Sequence, residues 1–174
     1  MSTNQNFPKF YQKPVLLNRE THMDLTVSES PDKYSFASKA QTVLMASIEY
    51  FDACRQFPVV FTRTNDGKVV TLALMGLETN ENLFVDENGA WTGSYIPAYI
   101  RRYPFITTDG ADGNMAVCFD EAFDGFNIEG IPLFQDGEPS PRMNEILAFL
   151  KNYYEQAKKT EQLGAFLAET GLLL

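Results

Sequence analysis

The sequence predicts an α+β fold, with an antiparallel β-sheet of hairpins packed by one helix before the sheet and by C-terminal helices. Three observations support this prediction: turn signals that recur after Pro58, helical periodicity over residues 39–56, and a helix start signal at Ser140. At 174 residues, of which 44% are hydrophobic, the chain is long enough to bury a core. We expect a flexible N-terminal arm over residues 1–13 and a single domain over residues 14–174.

The segments before the sheet begin with two short strands, PVLL at 14–17 and MDLTV at 23–27. The second segment alternates, which places Met23, Leu25 and Val27 on one face and His22, Asp24 and Thr26 on the other. A helix over residues 39–56 follows, because apolar residues recur there at intervals of three and four. They include Val43, Leu44, Ile48 and Phe51. This helix is predicted to end at Phe57-Pro58.

Turn signals then separate short apolar runs, as in an antiparallel meander. The turns are Asn65-Asp66-Gly67, Asn88-Gly89, Asp109-Gly110 with Asp112-Gly113, and Asp136-Gly137. A short helix is predicted to start near Pro97, since proline is tolerated in a first helical turn.

The C-terminal segment predicts a helix capped by Ser140, with Pro141 as its first residue. Its apolar face is Met143, Ile146, Leu147, Leu150 and Tyr154. We expect a break at residues 158–160 and a second helix ending at Gly171. Three leucines, at 172–174, then suggest a hydrophobic contact through which the chain could form a homo-oligomer.

Charge and composition exclude several classes of partner. The formal net charge of −9 opposes a nucleic acid backbone, and no apolar run is long enough for insertion into a membrane. The N-terminus lacks a secretory signal pattern, so we expect a cytoplasmic protein with Cys54 and Cys118 as reduced, unpaired thiols. No nucleotide-binding fingerprint is present, and we expect no cofactor.

His22 and Asp24 form a His-x-Asp pair of the kind found in iron sites. His22 is the single histidine of the chain, so a metal site would lack its further ligands, and we predict none. The pair could instead serve as the acid and base of an enzyme, a role for which Glu49 is the other candidate. The remaining acidic pairs, including Asp120-Glu121, are predicted to be solvated.

Glu49 is surrounded in sequence by apolar residues, so a partly buried carboxylate with a partner is expected there. Arg101 or Arg102 could be that partner, in a structural ion pair. Alternatively, the arginines form a ligand-recognising pocket with nearby aromatic side chains. The aromatic candidates are Trp91, Tyr95, Tyr99 and Tyr103.

A family resemblance rests on NLFVDENGAW at 82–91 and YIPAYIRRYPF at 95–105. They are preceded by PVVF and ALMGL and followed by PLFQDGEPSP. With these motifs the chain resembles the SapC family of bacterial surface-layer-related proteins from His22 to Leu174. The family's members run longer, so the resemblance implies either a shortened member that lacks the usual C-terminal segment or a C-terminal cover that comes from elsewhere.

The resemblance implies an accessory role, since such proteins are often encoded beside halogenase-like and oxygenase-like enzymes, and it supplies no catalytic residues. Our leading hypothesis is a non-catalytic binding protein that holds a partner protein or a peptide-like ligand through residues 95–105. Two alternatives are an enzyme that uses His22 with Asp24 or Glu49, and a structural component associated with the surface layer.

Overall fold

The computed structural model describes residues 7–28, 34–110, 115–126 and 129–173. In chain order, the strands within these ranges are β1 (Pro14–Leu16), β2 (Thr26–Val27), β3 (Thr42–Leu44), β4 (Val59–Arg63), β5 (Val69–Leu74), β6 (Phe105–Asp109), β7 (Met115–Asp120), β8 (Ile131–Pro132), β9 (Phe134–Gln135) and β10 (Glu138–Pro139). The α-helices are α1 (Tyr50–Ala53), α2 (Ala98–Arg101) and α3 (Pro141–Glu169), and two 3-10 turns span Ser35–Ala37 and Ser47–Glu49. Antiparallel sheets with helices confirm the predicted α+β class.

The chain divides into two compact units, each built from two separated segments. The first unit comprises Met1–Pro31 and Arg102–Lys151, and the second comprises Asp32–Arg101 and Asn152–Leu174. The three boundaries fall between Pro31 and Asp32, between Arg101 and Arg102, and within α3 between Lys151 and Asn152.

The first unit contains an antiparallel sheet in the order β1-β7-β6. Pro14 pairs with Asp120, and Phe105 pairs with Phe119. Two smaller antiparallel pairs, β2 with β8 and β9 with β10, complete its strands among the described residues. Side chains from the strands, from residues beside them and from α3 form its core: Leu25, Val27, Phe105, Phe119, Phe126, Leu133, Phe134, Met143 and Leu150. Ser140 caps α3 as predicted, because its Oγ accepts a hydrogen bond from the Met143 amide at 3.1 Å.

The second unit contains an antiparallel sheet in the order β3-β5-β4. Residues of β5 alternate between buried and partly buried, so Val69, Thr71 and Ala73 face the interior of the unit. The later turns of α3 approach this strand closely at Gly164, where an added Cβ would lie 2.3 Å from the Val69 carbonyl oxygen. The helix is also tied to the Ser47–Glu49 turn, since the Ser47 amide donates to Thr160 Oγ1 at 2.8 Å.

The prediction of a helix over residues 39–56 is largely wrong. Residues 42–44 form β3, and helical structure is confined to Ser47–Glu49 and α1. Val43 and Met45 are buried while Leu44 between them is 42% exposed, which is the alternation of a strand. Phe51, predicted to lie on the buried stripe, is 86% exposed.

Other predicted boundaries also change. In the segment MDLTV only Thr26–Val27 is a strand, and Met23 is exposed in a turn. The hairpins at residues 65–67 and 136–137 and the short helix after Pro97 are confirmed. The strands β6 and β7 also form the predicted hairpin, although residues 111–114 of its turn lie outside the described residues. The hairpin around Asn88-Gly89 is reduced to one bridge, between Val85 and Trp91.

The break predicted at residues 158–160 is wrong, because α3 continues from Pro141 to Glu169. Threonine lowers helix stability only slightly, and the Thr160 hydroxyl bonds the Gln156 carbonyl one turn back at 2.8 Å. Gly171, with a φ of 69°, follows the helix as predicted. The predicted arm overlaps the described residues from Phe7, and Tyr11 is buried there, while residues 1–6 lie outside them.

No helix in the described ranges is long and apolar enough to cross a membrane. Cys54 and Cys118 are free thiols; Cys54 is exposed and Cys118 is half-buried. Burial raises the pKa of the Cys118 thiol.

Candidate functional site

The centre of the candidate site is the carboxylate of Glu49, which is only 4% exposed. Its Oε1 accepts hydrogen bonds from the Tyr95 hydroxyl and from the Ala98 amide, both at 2.7 Å. Its Oε2 accepts a third from the Ala46 amide at 3.1 Å. A buried carboxylate requires such donors, because leaving it unpaired would cost several kcal/mol, roughly 3 or more.

The donors to Glu49 include groups that the sequence did not single out as its partners. Within the described part of the second unit, a tyrosine hydroxyl and two backbone amides donate to this carboxylate. The chain after Trp91 brings Tyr95 and the first amide of α2 to Glu49. The ion pair between Glu49 and an arginine stays a prediction.

Tyr95 is fixed at three points. Besides its hydroxyl bond to Glu49, its amide donates to Gln56 Oε1 at 2.9 Å, and its carbonyl accepts from the Trp91 indole Nε1 at 3.0 Å. Burial, and after it the hydrogen bond to Glu49, raises the pKa of Tyr95 well above its ordinary value of 10.0. The hydroxyl consequently stays protonated at neutral pH and remains a donor to the carboxylate.

Trp91 belongs to a cluster of rings in the same unit. It stacks on Phe84 with ring centroids 5.9 Å apart, and it makes edge contacts with Tyr34 and Phe57 at 5.7 and 6.3 Å. Such stacked and edge-to-face rings hold one another in defined orientations. Trp91 and Tyr95 together form a stiff aromatic platform that is partly open to solvent.

Arg101 lies on this platform. Its guanidinium carbon is 5.9 Å from the centroid of the Tyr95 ring, and its Nε donates to the Ile96 carbonyl at 2.9 Å. The side chain is exposed. Arg101 thus presents a positive, planar group in a fixed orientation, which suits recognition of a carboxylate.

Arg102 has separate surroundings in the first unit. Its guanidinium lies 5.8 Å from the centroid of the Tyr11 ring. The neighbouring Tyr103 packs edge-on against Tyr11 and Phe123. Burial, followed by the negative charge of Asp120, raises the pKa of Tyr103. Tyr99, another predicted site residue, is buried at 5% exposure, so it offers little surface to a ligand.

Asp120 was predicted to be solvated, and this is wrong, since its side chain is 0% exposed. It accepts hydrogen bonds from the Gln12 and Lys13 amides at 3.0 and 2.7 Å and from the Tyr103 hydroxyl at 3.2 Å. The signal that singled out Glu49 is weaker at Asp120, because an apolar run ending at Phe119 precedes it but Glu121 follows it directly. Gln56, which holds the Tyr95 amide, was missed and carries no comparable signal.

His22 and Asp24 lie in a turn of the first unit, and the prediction that both stand on one face of a strand is wrong. They nevertheless line one cleft of about 190 Å³, together with Thr21, Leu25, Phe119, Glu121 and Phe126. His22 Nδ1 lies 3.0 Å from both the amide nitrogen and the carbonyl oxygen of Asn18, so its contacts are compatible with either tautomer of the neutral imidazole. The imidazole also packs edge-on against Phe119 at 5.0 Å.

Comparison with known proteins yields one family match. The sequence model of the SapC family matches residues 17–174, which is nearly the whole chain. Searches of curated proteins and of solved structures gave no match. The matched range contains the positions of Glu49, the aromatic platform and both arginines. Because the match covers nearly the whole chain, we conclude that this chain belongs to the SapC family.

Proposed function

We propose that this chain is a non-catalytic binding protein that holds a partner protein or a peptide-like ligand on the aromatic platform of Trp91 and Tyr95 and on Arg101 beside it. The observation that carries the proposal is the exposed Arg101 side chain on Tyr95, a ring that is itself anchored by the buried Glu49. A side chain held in its binding orientation loses less conformational entropy when a ligand arrives.

The chemistry of the platform indicates what it binds. Arg101 supplies a cation for a carboxylate, and Trp91 and Tyr95 supply rigid apolar contact area. A ligand with an acidic group beside an apolar or aromatic residue, such as a chain end or an acidic loop of a protein, meets both requirements. An accessory role beside halogenase-like or oxygenase-like enzymes fits this proposal, and two free thiols fit a reducing compartment such as the cytoplasm.

The test uses Trp91, the single tryptophan of the chain, as a reporter. Short peptides that end in an aromatic residue are titrated as free acids and as C-terminal amides while the tryptophan emission is recorded. We expect a saturable change with the free acids, and affinity at least about tenfold lower for the amides and for Arg101→Gln, because a charge-assisted bidentate pair is lost.

Arg55→Gln is the matched control, since Arg55 is an exposed arginine of the same unit that makes none of the platform contacts above. It should bind like the wild type. Equal affinity of Arg101→Gln and the wild type would contradict the proposal, as would the absence of any emission change across the peptide set.

A second candidate function is acid and base catalysis on a small substrate in the cleft beside His22. The observation that favours it is the convergence of His22, Asp24 and Glu121 on one cleft. Its volume of about 190 Å³ is below the roughly 300 Å³ at which small-molecule pockets usually start.

Because His22 is the single histidine, its imidazole signals can be followed by NMR without further assignment. Titration with small carbonyl and amide fragments should shift these signals if the cleft binds substrate, and Asp24→Asn should weaken the effect. Signals that stay unchanged with every fragment would dismiss this second candidate and leave the first intact.

A further inference from the structure

The strand β4 forms an open edge of the β3-β5-β4 sheet. Hydrogen bonds at its two ends show which residues of β4 direct their backbone groups towards β5. Thr64 N donates to Lys68 O, and Leu74 N donates to Pro58 O. In an antiparallel pair, alternate residues bond to the neighbouring strand. The backbone groups of Val59, Phe61 and Arg63 therefore point away from β5, and among the described residues no hydrogen bond reaches them.

We propose that β4 pairs in antiparallel fashion with β4 of a second copy of the chain, about a twofold axis at Phe61. Phe61 then lies opposite its counterpart, and Val59 lies opposite Arg63 of the second copy. In this register every outward-facing N–H and C=O group meets a partner, and the two sheets become one continuous sheet.

The residues at the ends of β4 tolerate this register. Pro58 has no N–H group, and it falls opposite Thr64 of the second copy at a position that forms no hydrogen bond. Arg63, which is the charged residue of β4, lies opposite a valine. The two Arg63 residues are four positions apart along the strands, about 14 Å, which exceeds the Debye length of about 8 Å at physiological salt.

The side chains along β4 also favour a second copy over an arbitrary extended peptide. Phe61 is 40% exposed, and in the dimer it forms a cross-strand aromatic pair with its counterpart. On the other face, Leu44, Leu72 and Val60 form an apolar row across the sheet. In the dimer Val60 lies opposite Thr62 of the second copy and diagonal to its Val60, so the two rows meet at diagonal neighbours. A peptide of different sequence would satisfy the backbone groups but would lack the matching phenylalanine and valine.

The C-terminal leucines lie beside the same edge. Leu172 and Leu173 line a cleft of about 230 Å³ together with Phe61, Thr62 and Arg63. Pairing at β4 would bring side chains of the second copy to the mouth of this cleft. The predicted homo-oligomer contact through the leucines thus becomes part of a defined strand interface.

The test uses the position of Phe61 on the twofold axis, where it lies opposite Phe61 of the second copy. Phe61→Lys and Phe61→Glu each place like charges opposite one another, so each variant should sediment as a monomer while the wild type forms a dimer with a Kd on the order of micromolar. An equimolar mixture of the two variants should form the dimer again, because opposite charges then meet on the axis.

A second variant does not depend on the Phe61 side chain. Arg63→Pro removes an outward-facing N–H and leaves the bonds to β5 in place, so it should weaken dimerisation by on the order of tenfold to a hundredfold. Phe51→Lys is the control, because Phe51 is also an exposed aromatic residue of this unit and lies off β4, and it should dimerise like the wild type. Circular dichroism verifies that each variant is folded.

Three results would overturn the proposal. The first is a wild type that stays monomeric at concentrations of about 100 µM, well above the expected Kd. The second is a dimer that persists in both Phe61→Lys and Arg63→Pro, which would place the interface elsewhere. The third is a mixture of Phe61→Lys and Phe61→Glu that stays monomeric, which would exclude the twofold register. If the first result is accompanied by binding of extended peptides, the edge of β4 is a peptide site and not a dimer interface.

Discussion

At the scale of single residues, the two units share one arrangement, a buried carboxylate that accepts hydrogen bonds from a tyrosine hydroxyl and from backbone amides. Glu49 with Tyr95 is one case, and Asp120 with Tyr103 is the other. In both, the carboxylate fixes a loop against an element that is distant in sequence. In both cases the donors named above are neutral groups.

We expect Glu49→Gln to destabilise the protein by about 2–3 kcal/mol. The NH₂ group of glutamine cannot accept a hydrogen bond, so at least one donor among Tyr95, Ala98 and Ala46 is left unpaired in a buried position. Urea unfolding measures the change. Glu87→Gln, in an exposed turn, is the control and should stay within about 0.5 kcal/mol of the wild type.

The raised pKa values of Tyr95 and Tyr103 predict a loss of stability at alkaline pH. Above about pH 10 the unfolded chain releases its tyrosine protons while the folded chain retains these two, so the unfolded state binds fewer protons and stability falls with rising pH. The double variant Tyr95→Phe, Tyr103→Phe should show a shallower decline in urea midpoint between about pH 9 and 11. A decline of the urea midpoint as steep as that of the wild type would contradict the raised pKa values of Tyr95 and Tyr103.

The burial of Glu49 was predictable from its sequence neighbours, and its partners were not. Tyr95 lies 46 residues away, and Gln56 reaches Tyr95 across 39 residues, so no local pattern connects them. Arginine was the expected partner because it carries the opposite charge, but neutral donors in a loop and at a helix start also favour the charged form of a carboxylate.

At the scale of elements, the sequence predicts turns more reliably than the segments between them. Turn residues act through their own backbone angles, as at Gly67 and Gly137, whose φ values are 84° and 79°. By contrast, the short apolar run around Val43 fits a helix or a strand, and pairing of β3 with β5 decides between them. Tertiary contacts also keep α3 continuous through Thr160.

Gly164→Ala tests the contact between α3 and β5. In an exposed helix this substitution would stabilise by about 1 kcal/mol, but here the added Cβ meets the Val69 carbonyl oxygen at 2.3 Å. We expect a net destabilisation of about 1–3 kcal/mol, because the helix must move away from the strand.

Ala165→Gly at the adjacent, exposed position is the matched control, with an expected loss of about 1 kcal/mol from helix propensity alone. Urea unfolding followed by circular dichroism measures both variants. A stabilised Gly164→Ala variant would show that the helix does not need glycine at this contact.

At the scale of the whole molecule, fold class and family were predictable, while the division into two units was not. Each unit joins segments that are far apart in sequence, such as Met1–Pro31 with Arg102–Lys151, and the boundary within α3 has no turn or linker to mark it. Composition and periodicity report local structure, and they carry no information on which distant segments pack together.

The net charge of −9 governs the salt dependence of dimerisation, and the local positive charge of Arg101 governs that of peptide binding, so the two proposed interactions should respond oppositely to salt. Two copies of an acidic chain repel each other, so dimerisation should tighten as sodium chloride rises from about 0.02 to 0.5 M. Binding of an acidic peptide at Arg101 should weaken over the same range, because its attraction is screened. Sedimentation measures dimerisation, and tryptophan emission measures peptide binding. If both affinities rose or both fell with increasing salt, the proposed roles of the net charge and of Arg101 would be contradicted.

The unequal exposure of the two thiols has a practical consequence for following these interactions in solution. A maleimide dye should react with Cys54 well before Cys118, since Cys118 is half-buried and its raised pKa lowers the fraction of reactive thiolate. The natural sequence can thus be labelled at one position, and energy transfer between dyes on two copies would report their association without any substitution.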